Sequence, residues 1–291
     1  MTGLYLDHML IAVRDLAAAG RAFAGLGFKV TPEGKHPGRG THNRLVVFGP
    51  EYLELIAVHD PTEGLSRPHM VPFLESREGF FMFALGSADV DSRYAEFRGR
   101  GVRVWEPVVG ARQAEDGATA YSWRNMEIDA AETPGSQTFV IQHHHTVEER
   151  YTDPHEPTVH PNGARGIHHL AVAVRDAEVA ASRWQDNFRL PRVSGGPTGE
   201  TARRVRLDLG NSYLDFLSPL KTGRLSRFLE RNGEAPYHLA IMTVDLDATE
   251  SHLVGRGLSI GRRTTDSDGA SFSLDPTDAQ GASLRFVQRG G

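Results

Sequence analysis

The 291-residue chain contains no cysteine, which excludes disulfides, thiolate metal ligands and thiol catalysis. No apolar run approaches the roughly 18 residues that a membrane span needs, and the N-terminus, MTGLYLDHML, has no charged segment followed by a long apolar core. Lysine and arginine are spread along a chain of net charge −5, so no basic tract indicates nucleic acid or an anionic membrane as a partner. We therefore expect a cytoplasmic protein.

The motifs of several large enzyme classes are also missing. The chain has no P-loop, no GxGxxG and no GxSxG, so the sequence does not support nucleotide binding or serine hydrolysis. The hydrophobic fraction of 39% and the charged fraction of 24% are ordinary for a globular protein. A length of 291 residues allows two domains of usual size.

What the chain does contain is a copy of itself. Two segments of the first half recur in the second half at one offset of 161 residues: DHMLIAVRD (7–15) as HHLAVAVRD (168–176), and FGPEYLEL (48–55) as LGNSYLDF (209–216). His8 and Glu54 therefore correspond to His169 and Asp215. A histidine and an acid that recur in one register inside apolar strands indicate a pocket and are compatible with a metal site.

The repeat is deeper than twofold. Residues 81–104 resemble residues 237–260, with Asp-x-Asp pairs and Gly-Arg-Gly triplets in the same register, so each half holds two units. In each unit a strand of period-2 alternation is followed by an Asp at a helix start, an amphipathic helix and three more strands. This β-α-β-β-β order predicts an α+β fold of four modules. We expect an N-terminal domain (1–145), a linker (146–165) and a C-terminal domain (166–291).

The four units, with an inward histidine on a first strand and an acid on a fourth, resemble the vicinal-oxygen-chelate superfamily. That superfamily includes glyoxalase I, the extradiol dioxygenases and the bleomycin and fosfomycin resistance proteins. The segments HPGRGTHNRL (36–45), YLELIAV (52–58) and FVIQHHH (139–145) look like its glyoxalase-like group. The resemblance implies that two modules pair into a half-barrel cup, with up to four metal-ligand positions on the first and last strands of the paired units.

The first half departs from this ligand pattern. Its four positions are His8, Glu54, Met82 and Phe139. Because two of them are apolar, this cup looks metal-poor unless His42 or a histidine of 143–145 completes it. His42 also lies in a Gly-rich loop at the expected cup mouth, where substrate contacts tend to occur.

The second half fits the pattern better. Its four positions are His169, Asp215, His238 and Arg285. The resemblance implies that the first three hold one divalent ion (Fe²⁺, Mn²⁺, Zn²⁺ or Ni²⁺), with His169, His238 and Arg285 as catalytic residues. Arg285 stands where the extradiol dioxygenases and glyoxalase I have an acid, and arginine cannot ligate a cation. It would repel the metal or bind an anionic substrate, with Arg204 as a second substrate contact.

Simpler interpretations of the same residues stay open. His169 and His238 can be buried core histidines, and Arg285 can form an ion pair with Asp215 in a cup without metal. Two functions follow. One is a metal-dependent enzyme that acts on a substrate chelating through vicinal oxygens, by extradiol ring cleavage or a glyoxalase-type isomerisation. The other is a metal-free small-molecule binding or resistance protein. Either would take a small molecule, and the edge strands of such cups offer a surface for a homodimer.

Overall fold

The computed structural model describes residues 3–65, 67–114, 117, 119–150, 158–198 and 201–289. The first half contains, in chain order, β1 (Leu4–Ala12), α1 (Leu16–Gly25), β2 (Gly34–His36), β3 (Thr41–Val47), β4 (Tyr52–Val58), α2 (Met70–Ser76), β5 (Gly79–Ser87), α3 (Val90–Gly99), β6 (Val108–Gln113), β7 (Thr119–Glu127), β8 (Thr138–His143) and α4 (Val147–Arg150). The second half continues with β9 (Ala164–Ala173), α5 (Ala177–Phe188), β10 (Arg192–Thr198), β11 (Ala202–Asp208), β12 (Tyr213–Pro219), α6 (Arg224–Asn232), β13 (Ala235–Thr243), α7 (Leu246–Val254), β14 (Thr264–Asp266), β15 (Gly269–Ser273) and β16 (Leu284–Gln288).

This element order confirms the predicted α+β fold of four β-α-β-β-β modules. The modules begin at β1, β5, β9 and β13, and α2, α4 and α6 lie between them. Short 3-10 turns at Ala130–Glu132 and Pro276–Ala279 precede the last strands of the second and fourth modules. Among the described residues no helix is long and apolar enough to cross a membrane.

The four module helices begin at the aspartates that the sequence pattern indicated. The carboxylates of Asp15, Asp89, Asp176 and Asp245 each accept a backbone N–H from the first turn of α1, α3, α5 and α7. Such a cap satisfies one of the N–H groups that a helix start leaves without a partner inside the helix. Because the aspartate follows the first strand in every module, the turn from strand to helix is repeated four times.

Eight strands of the first half close into a barrel in the order β1-β4-β3-β2-β6-β7-β8-β5. β1 lies between a parallel β4 and an antiparallel β5, so β1 and β5 join the two modules. The ring is closed where Lys35 of β2 pairs with Gln113 of β6. Each module thus supplies half of a closed wall, and the inner faces of all eight strands surround one interior.

The second half forms an eight-stranded sheet in the order β10-β11-β12-β9-β13-β16-β15-β14. Its register repeats that of the first half, since Tyr213 pairs with His169 as Tyr52 pairs with His8. Within the described residues, β10 and β14 form the two ends of this sheet and are not hydrogen-bonded to each other. The second half is therefore an open cup, whereas the first is a closed barrel.

One hydrophobic core runs through both halves, between the sheets and their helices. Trp184 of α5 is fully buried and stacks on Phe83 of β5 with 5.6 Å between ring centroids. Phe28 stacks on Phe286 at 6.1 Å. A separate apolar cluster fills part of the barrel interior. The halves are therefore held together by buried apolar area, and their division at 1–145 and 166–291 stays a prediction.

The end of the predicted linker is buried against the first half. The imidazole of His160 is 3% exposed and makes edge contacts with the rings of Phe28 and Phe48. Its Nδ1 accepts the backbone N–H of Lys29 at 3.0 Å, and its Nε2 donates to the carbonyl of Val47 at 2.9 Å. This segment therefore anchors the second half to the first instead of acting as an exposed spacer.

The anchoring histidine predicts an acid sensitivity. Burial lowers the pKa of His160 from 6.5 to about 4, so folding favours the neutral ring, an advantage that is complete above pH 6.5 and is lost as the pH falls towards 4. We expect His160→Gln to lose less stability than the wild type between pH 7 and pH 4.5, by up to about 3 kcal/mol. Urea unfolding at each pH measures this difference, and equal losses in the two proteins would contradict it.

Candidate functional site

A cavity opens inside the N-terminal barrel. It has about 470 Å³ of empty space, a figure that includes its open mouth. The side chains around it are His8, His36, Arg39, Asn43, Tyr52, Glu54, Ile56, Arg67, Tyr121, Trp123, Phe139 and Ile141. Ionisable groups and aromatic rings therefore share one interior, which is the composition expected of a binding site.

Glu54 lies on the inner face of β4. Tyr52, Glu54 and Ile56 line the cavity, whereas Leu53 and Leu55 between them pack into the outer core. This is the two-residue period of a strand with one face towards helices and the other towards a pocket. Glu54 is only 6% exposed, and a carboxylate so far from water requires partners.

His8, on the neighbouring strand β1, is one partner of Glu54. Its Nε2 lies 3.4 Å from Glu54 Oε2, and its Nδ1 lies 2.6 Å from Asp7 Oδ1. Burial opposes a charge on this ring, but the bonds to Asp7 and Glu54 outweigh burial and raise the pKa of His8. The two carboxylates therefore favour the protonated form of this imidazole.

His36 of β2 and Asn43 of β3 reach Glu54 from the other side. His36 Nε2 lies 3.7 Å from Glu54 Oε1, and Asn43 Nδ2 donates to that oxygen at 2.7 Å. Arg112 Nε donates to Asn43 Oδ1 at 2.8 Å, which fixes the orientation of the amide. His36 Nδ1 lies 2.8 Å from the hydroxyl of Thr41, so its Nε2 accepts from Asn43 Nδ2 at 3.1 Å.

The charge states of these groups differ because their partners differ. Burial, together with the nearby cations Arg112, Arg39 and Arg67, lowers the pKa of His36 to about 4, so this ring is neutral near pH 7. Burial opposes the ionisation of Glu54, but the hydrogen bond and charge of His8 hold its pKa at about 2. The barrel thus contains an ionised carboxylate beside one neutral imidazole and one imidazole whose protonated form is favoured.

In the C-terminal cup the predicted histidines come together. His169 Nε2 lies 3.1 Å from His238 Nε2, and His169 Nδ1 lies 2.8 Å from His168 Nδ1. Burial lowers the pKa of His238 to about 3 and that of His168 to about 4, and it holds the pKa of His169 well below its usual value. All three rings are therefore neutral near pH 7.

The predicted acid of this cup, Asp215, is bound by an arginine. Arg206 donates through Nε to Oδ1 at 2.6 Å and through Nη2 to Oδ2 at 2.7 Å. The same guanidinium bonds Asp268, which Arg204 also holds at 2.8 Å. His169 Nε2 is 3.9 Å from Asp215 Oδ2. Both oxygens of Asp215 therefore face a buried cation at closer range than any imidazole of the predicted set.

Proximity alone selects a different trio of metal-type ligands. Across the described residues, the donor atoms of His168, His169 and Asp268 lie within 4.8 Å of one another, and all three side chains are buried. This trio shares only His169 with the set predicted from the sequence. Its carboxylate is again held by Arg206 and Arg204, so an ion here would compete with two guanidinium groups.

Comparison with known proteins identifies the family. The model of the glyoxalase-like domain matches residues 6–188, which is more than half of the chain. The chain belongs to the glyoxalase-like domain family. This family lies in the vicinal-oxygen-chelate superfamily, so the resemblance drawn from the residues is confirmed. No curated protein sequence matches the chain.

Two solved structures show how far the fold extends. A triple-mutant form of 4-hydroxymandelate synthase from Streptomyces coelicolor is 16% identical, with a TM-score of 0.72 over 100% of this chain and 94% of that one. A hypothetical protein from Staphylococcus aureus is 17% identical, with a TM-score of 0.68 over 98% of this chain and 99% of that one. At such identity these likenesses establish the fold of the glyoxalase-like chain along its whole length and leave its reaction open.

One predicted contact of this glyoxalase-like chain, that of Arg285, is made with other partners. Arg285 does not pair with Asp215. Its Nη2 donates to Asp266 Oδ2 at 2.8 Å, and its Nε donates to the hydroxyl of Ser271 at 2.8 Å, because the two residues lie on the adjoining hairpin of β14 and β15. The cation that would oppose a metal at Asp215 is therefore Arg206, and not Arg285 as expected.

The histidines considered for completing the first cup are placed elsewhere. His42 Nδ1 lies 2.7 Å from Glu33 Oε1, and its ring lies beside that of His59, so it is not among the cavity residues. His143 Nε2 lies 3.1 Å from Asp7 and thus contacts the partner of His8. Neither side chain reaches Glu54 as His36 does.

Several polar cavity residues have no assigned role in the sequence-based prediction. His36, Arg39 and Asn43 all belong to the segment HPGRGTHN, which was recognised only as a loop at the cup mouth, and Arg67 follows β4 in an irregular segment. His36 and Asn43 could have been placed from the β2–β3 hairpin. His36 pairs with Thr41, and Asn43 lies two residues further along the same strand as Thr41, so the two side chains share one face. No pattern in the sequence marks Arg67.

The Arg206 cluster predicts a large stability loss on truncation. Arg206→Met would leave Asp215 and Asp268 buried without their main cation, and breaking such a pair costs about 3–5 kcal/mol. We expect urea unfolding at pH 7 to show this loss. Arg192→Met is the matched control, because its ion pair with Glu178 is exposed and should contribute less than about 1 kcal/mol. Similar small losses in both variants would contradict a stabilising role for the ion pairs of Arg206 with Asp215 and Asp268.

Proposed function

We propose that this glyoxalase-like protein is a divalent-metal-dependent enzyme whose working site is the N-terminal barrel. The metal would be held by Glu54, His8 and His36, and the substrate would chelate it through two adjacent oxygens. The observation that carries the proposal is the position of the Glu54 carboxylate between two imidazole nitrogens, 3.4 Å from His8 Nε2 and 3.7 Å from His36 Nε2. Two imidazoles and a carboxylate form a ligand set for Fe²⁺, Mn²⁺, Zn²⁺ or Ni²⁺.

The surroundings of the two histidines support this role. Nδ1 of His8 is anchored by Asp7 at 2.6 Å, and Nδ1 of His36 is anchored by Thr41 at 2.8 Å, so both Nε2 atoms are directed to Glu54. Metal-bound histidines almost always have such a partner on the other nitrogen. Glu54 is ionised and His36 is neutral near pH 7, so both are already in the form that binds a metal, and His8 would bind through a deprotonated Nε2.

The corresponding site of the second half is the alternative location. The set His169, Asp215 and His238 has in its favour the 3.1 Å separation of two neutral Nε2 atoms, which suits two ligands of one ion. Against it stands the buried guanidinium of Arg206, which engages both oxygens of Asp215. An ion bound there would have to displace the Arg206 guanidinium from both oxygens of Asp215, whereas the partners of Glu54 are imidazoles and an amide.

Residues of the barrel have separate tasks in this proposal. A bound divalent ion would polarise the chelating oxygens of a substrate. Asn43, locked by Arg112, holds the Glu54 carboxylate in place. Phe139 and Trp123 line the cavity and exclude water, which strengthens electrostatic interactions inside it.

A metal-free small-molecule binding protein is the second candidate. It is favoured by the apolar residues Met82 and Phe139 at two of the four ligand positions of the first cup. It is favoured also by the guanidinium of Arg67, which lies 4.3 Å above the Phe139 ring and so brings a positive charge to the place of the fourth ligand. In that case the Glu54 cluster would orient a ligand without a cation.

Metal content decides between these proposals. Plasma mass spectrometry of untagged wild type should find about one equivalent of a divalent transition metal. We expect Glu54→Gln and His36→Ala to lose it, and the matched variants Asp215→Asn and His238→Ala to keep it, because Arg206 already occupies Asp215. Loss in the second pair alone would move the site to the C-terminal cup. Absence of metal after incubation with each ion would leave the binding protein as the better account.

A further inference from the structure

Two arginines border the barrel cavity on the side of β6 to β8. Arg67 lies over the ring of Phe139, with 4.3 Å from its Cζ to the ring centroid, and its Nη2 donates to Glu127 Oε1 at 3.0 Å. Arg39 extends from the turn between β2 and β3, and its Nη2 donates to the carbonyl of Val109 at 2.8 Å. Both guanidinium groups belong to the cavity wall.

The charges of this pair are not balanced by its neighbours. Arg67 has one carboxylate partner, Glu127, whose Oε1 also accepts from the amide of Asn125. Among the described residues, the acceptors of Arg39 are the Val109 carbonyl and Asn125 Oδ1, which are both neutral. Two cations therefore share one carboxylate. Burial and the charge of Arg67 lower the pKa of Arg39, as expected when like charges lie near each other out of water.

We propose that Arg39 and Arg67 form an oxyanion subsite that fixes the substrate class of the barrel as small molecules with a carboxylate or phosphate group on an apolar body. The location of the reacting part rests on the proposed function, whereas the oxyanion subsite stands on the two arginines themselves. Guanidinium groups present planar pairs of N–H donors that match the oxygens of either anion. An anion bound here would supply the negative charge that the wall lacks.

The remaining side chains of the cavity wall form a surface that the apolar part of the ligand would contact. Tyr121, Trp123 and Phe139 present aromatic rings to the cavity, and Ile56 and Ile141 present aliphatic side chains. Stacking on Phe139 also holds the Arg67 guanidinium in one plane, so little side-chain freedom remains to be lost when an anion binds. An aryl or arylalkyl acid fits both features, with its charged end at the arginines and its ring against the aromatic wall.

Binding of three matched probes tests the subsite. Isothermal titration of the wild-type protein with phenylacetate, phenyl phosphate and the neutral phenylacetamide should show at least one anion binding about tenfold or more tightly than the amide, a difference of about 1.4 kcal/mol. Arg39→Gln and Arg67→Gln should each weaken the anion about tenfold or more and leave the amide unchanged. Arg124→Gln is the control, since that arginine pairs with Asp91 outside the cavity and should bind as the wild type does.

Each outcome bears on the proposal. A preference for phenylacetate identifies the carboxylate source and a preference for phenyl phosphate the phosphate source, and both support the subsite. Equal binding of the amide, unchanged binding in both arginine variants, or no binding of either anion would overturn it. Arg67→Lys, which keeps the charge without the planar fork, replaces Arg67→Gln if that variant does not fold, and should bind the anion more weakly than the wild type.

The test also separates the subsite from the proposed function. Glu54→Gln should still bind the preferred anion within about threefold of the wild type, since Glu54 contacts His8, His36 and Asn43 and not the two arginines. Anion binding by a wild-type protein that takes up no metal after incubation with each ion would overturn the proposed metal centre and leave the subsite intact. Metal binding without any anion preference would do the reverse.

Discussion

A carboxylate on the inner face of a sheet must be paired, and this chain solves that problem twice at the same repeat position. Glu54 and Asp215 both follow Tyr-Leu on the fourth strand of a module, with exposures of 6% and 1%. In the first half the partners are imidazoles and an amide. In the second half the partner is the guanidinium of Arg206. The choice of partner decides which carboxylate can still bind something else, because a guanidinium keeps its charge and competes with a metal, whereas an imidazole can lose its proton and become a ligand.

The two sheets also differ in how their ends are joined. Direct pairing of β2 with β6 closes the first sheet around a cavity. In the second half, Arg204 and Arg206 of β11 reach Asp268 in the turn between β14 and β15, so ion pairs connect parts of the sheet that strand pairing leaves open. A shared core joins the two halves. The second half thus has the features of a support, and the first half those of a binding chamber.

Much of the fold could be predicted from the sequence, because its signals are local and repeated. Alternating strands, an aspartate at each helix start and the constant offset between His8 and His169 were enough to place four modules. Closure of the first sheet could not be predicted, since it depends on a single contact between β2 and β6 that lie far apart in the chain. Burial of the linker at His160 was also unforeseen, because a His, Pro and Gly composition is typical of exposed segments.

The site was harder to predict than the fold for a physical reason. The internal repeat assigns residues to matching strand positions. From these positions His8 was expected near Glu54 and His169 near His238, and both contacts are present. The repeat carries no information on side chains that exist in one half alone. Arg206 on Asp215, and His36 on Glu54, are such contacts, and they reverse the apparent ranking of the two cups. Long arginine side chains are especially hard to place, and Arg285 bonds Asp266 of the adjoining hairpin instead of Asp215.

The central claim is that the N-terminal barrel, and not the C-terminal cup, binds the cation. Anomalous diffraction from crystals of the wild-type protein grown with Mn²⁺ tests it most directly, because the position of the peak is independent of any assumed substrate. The account predicts a peak within coordination distance of Glu54, His8 and His36, about 2.0–2.3 Å from their ligand atoms. A peak between His169 and His238, with the barrel empty, would contradict it.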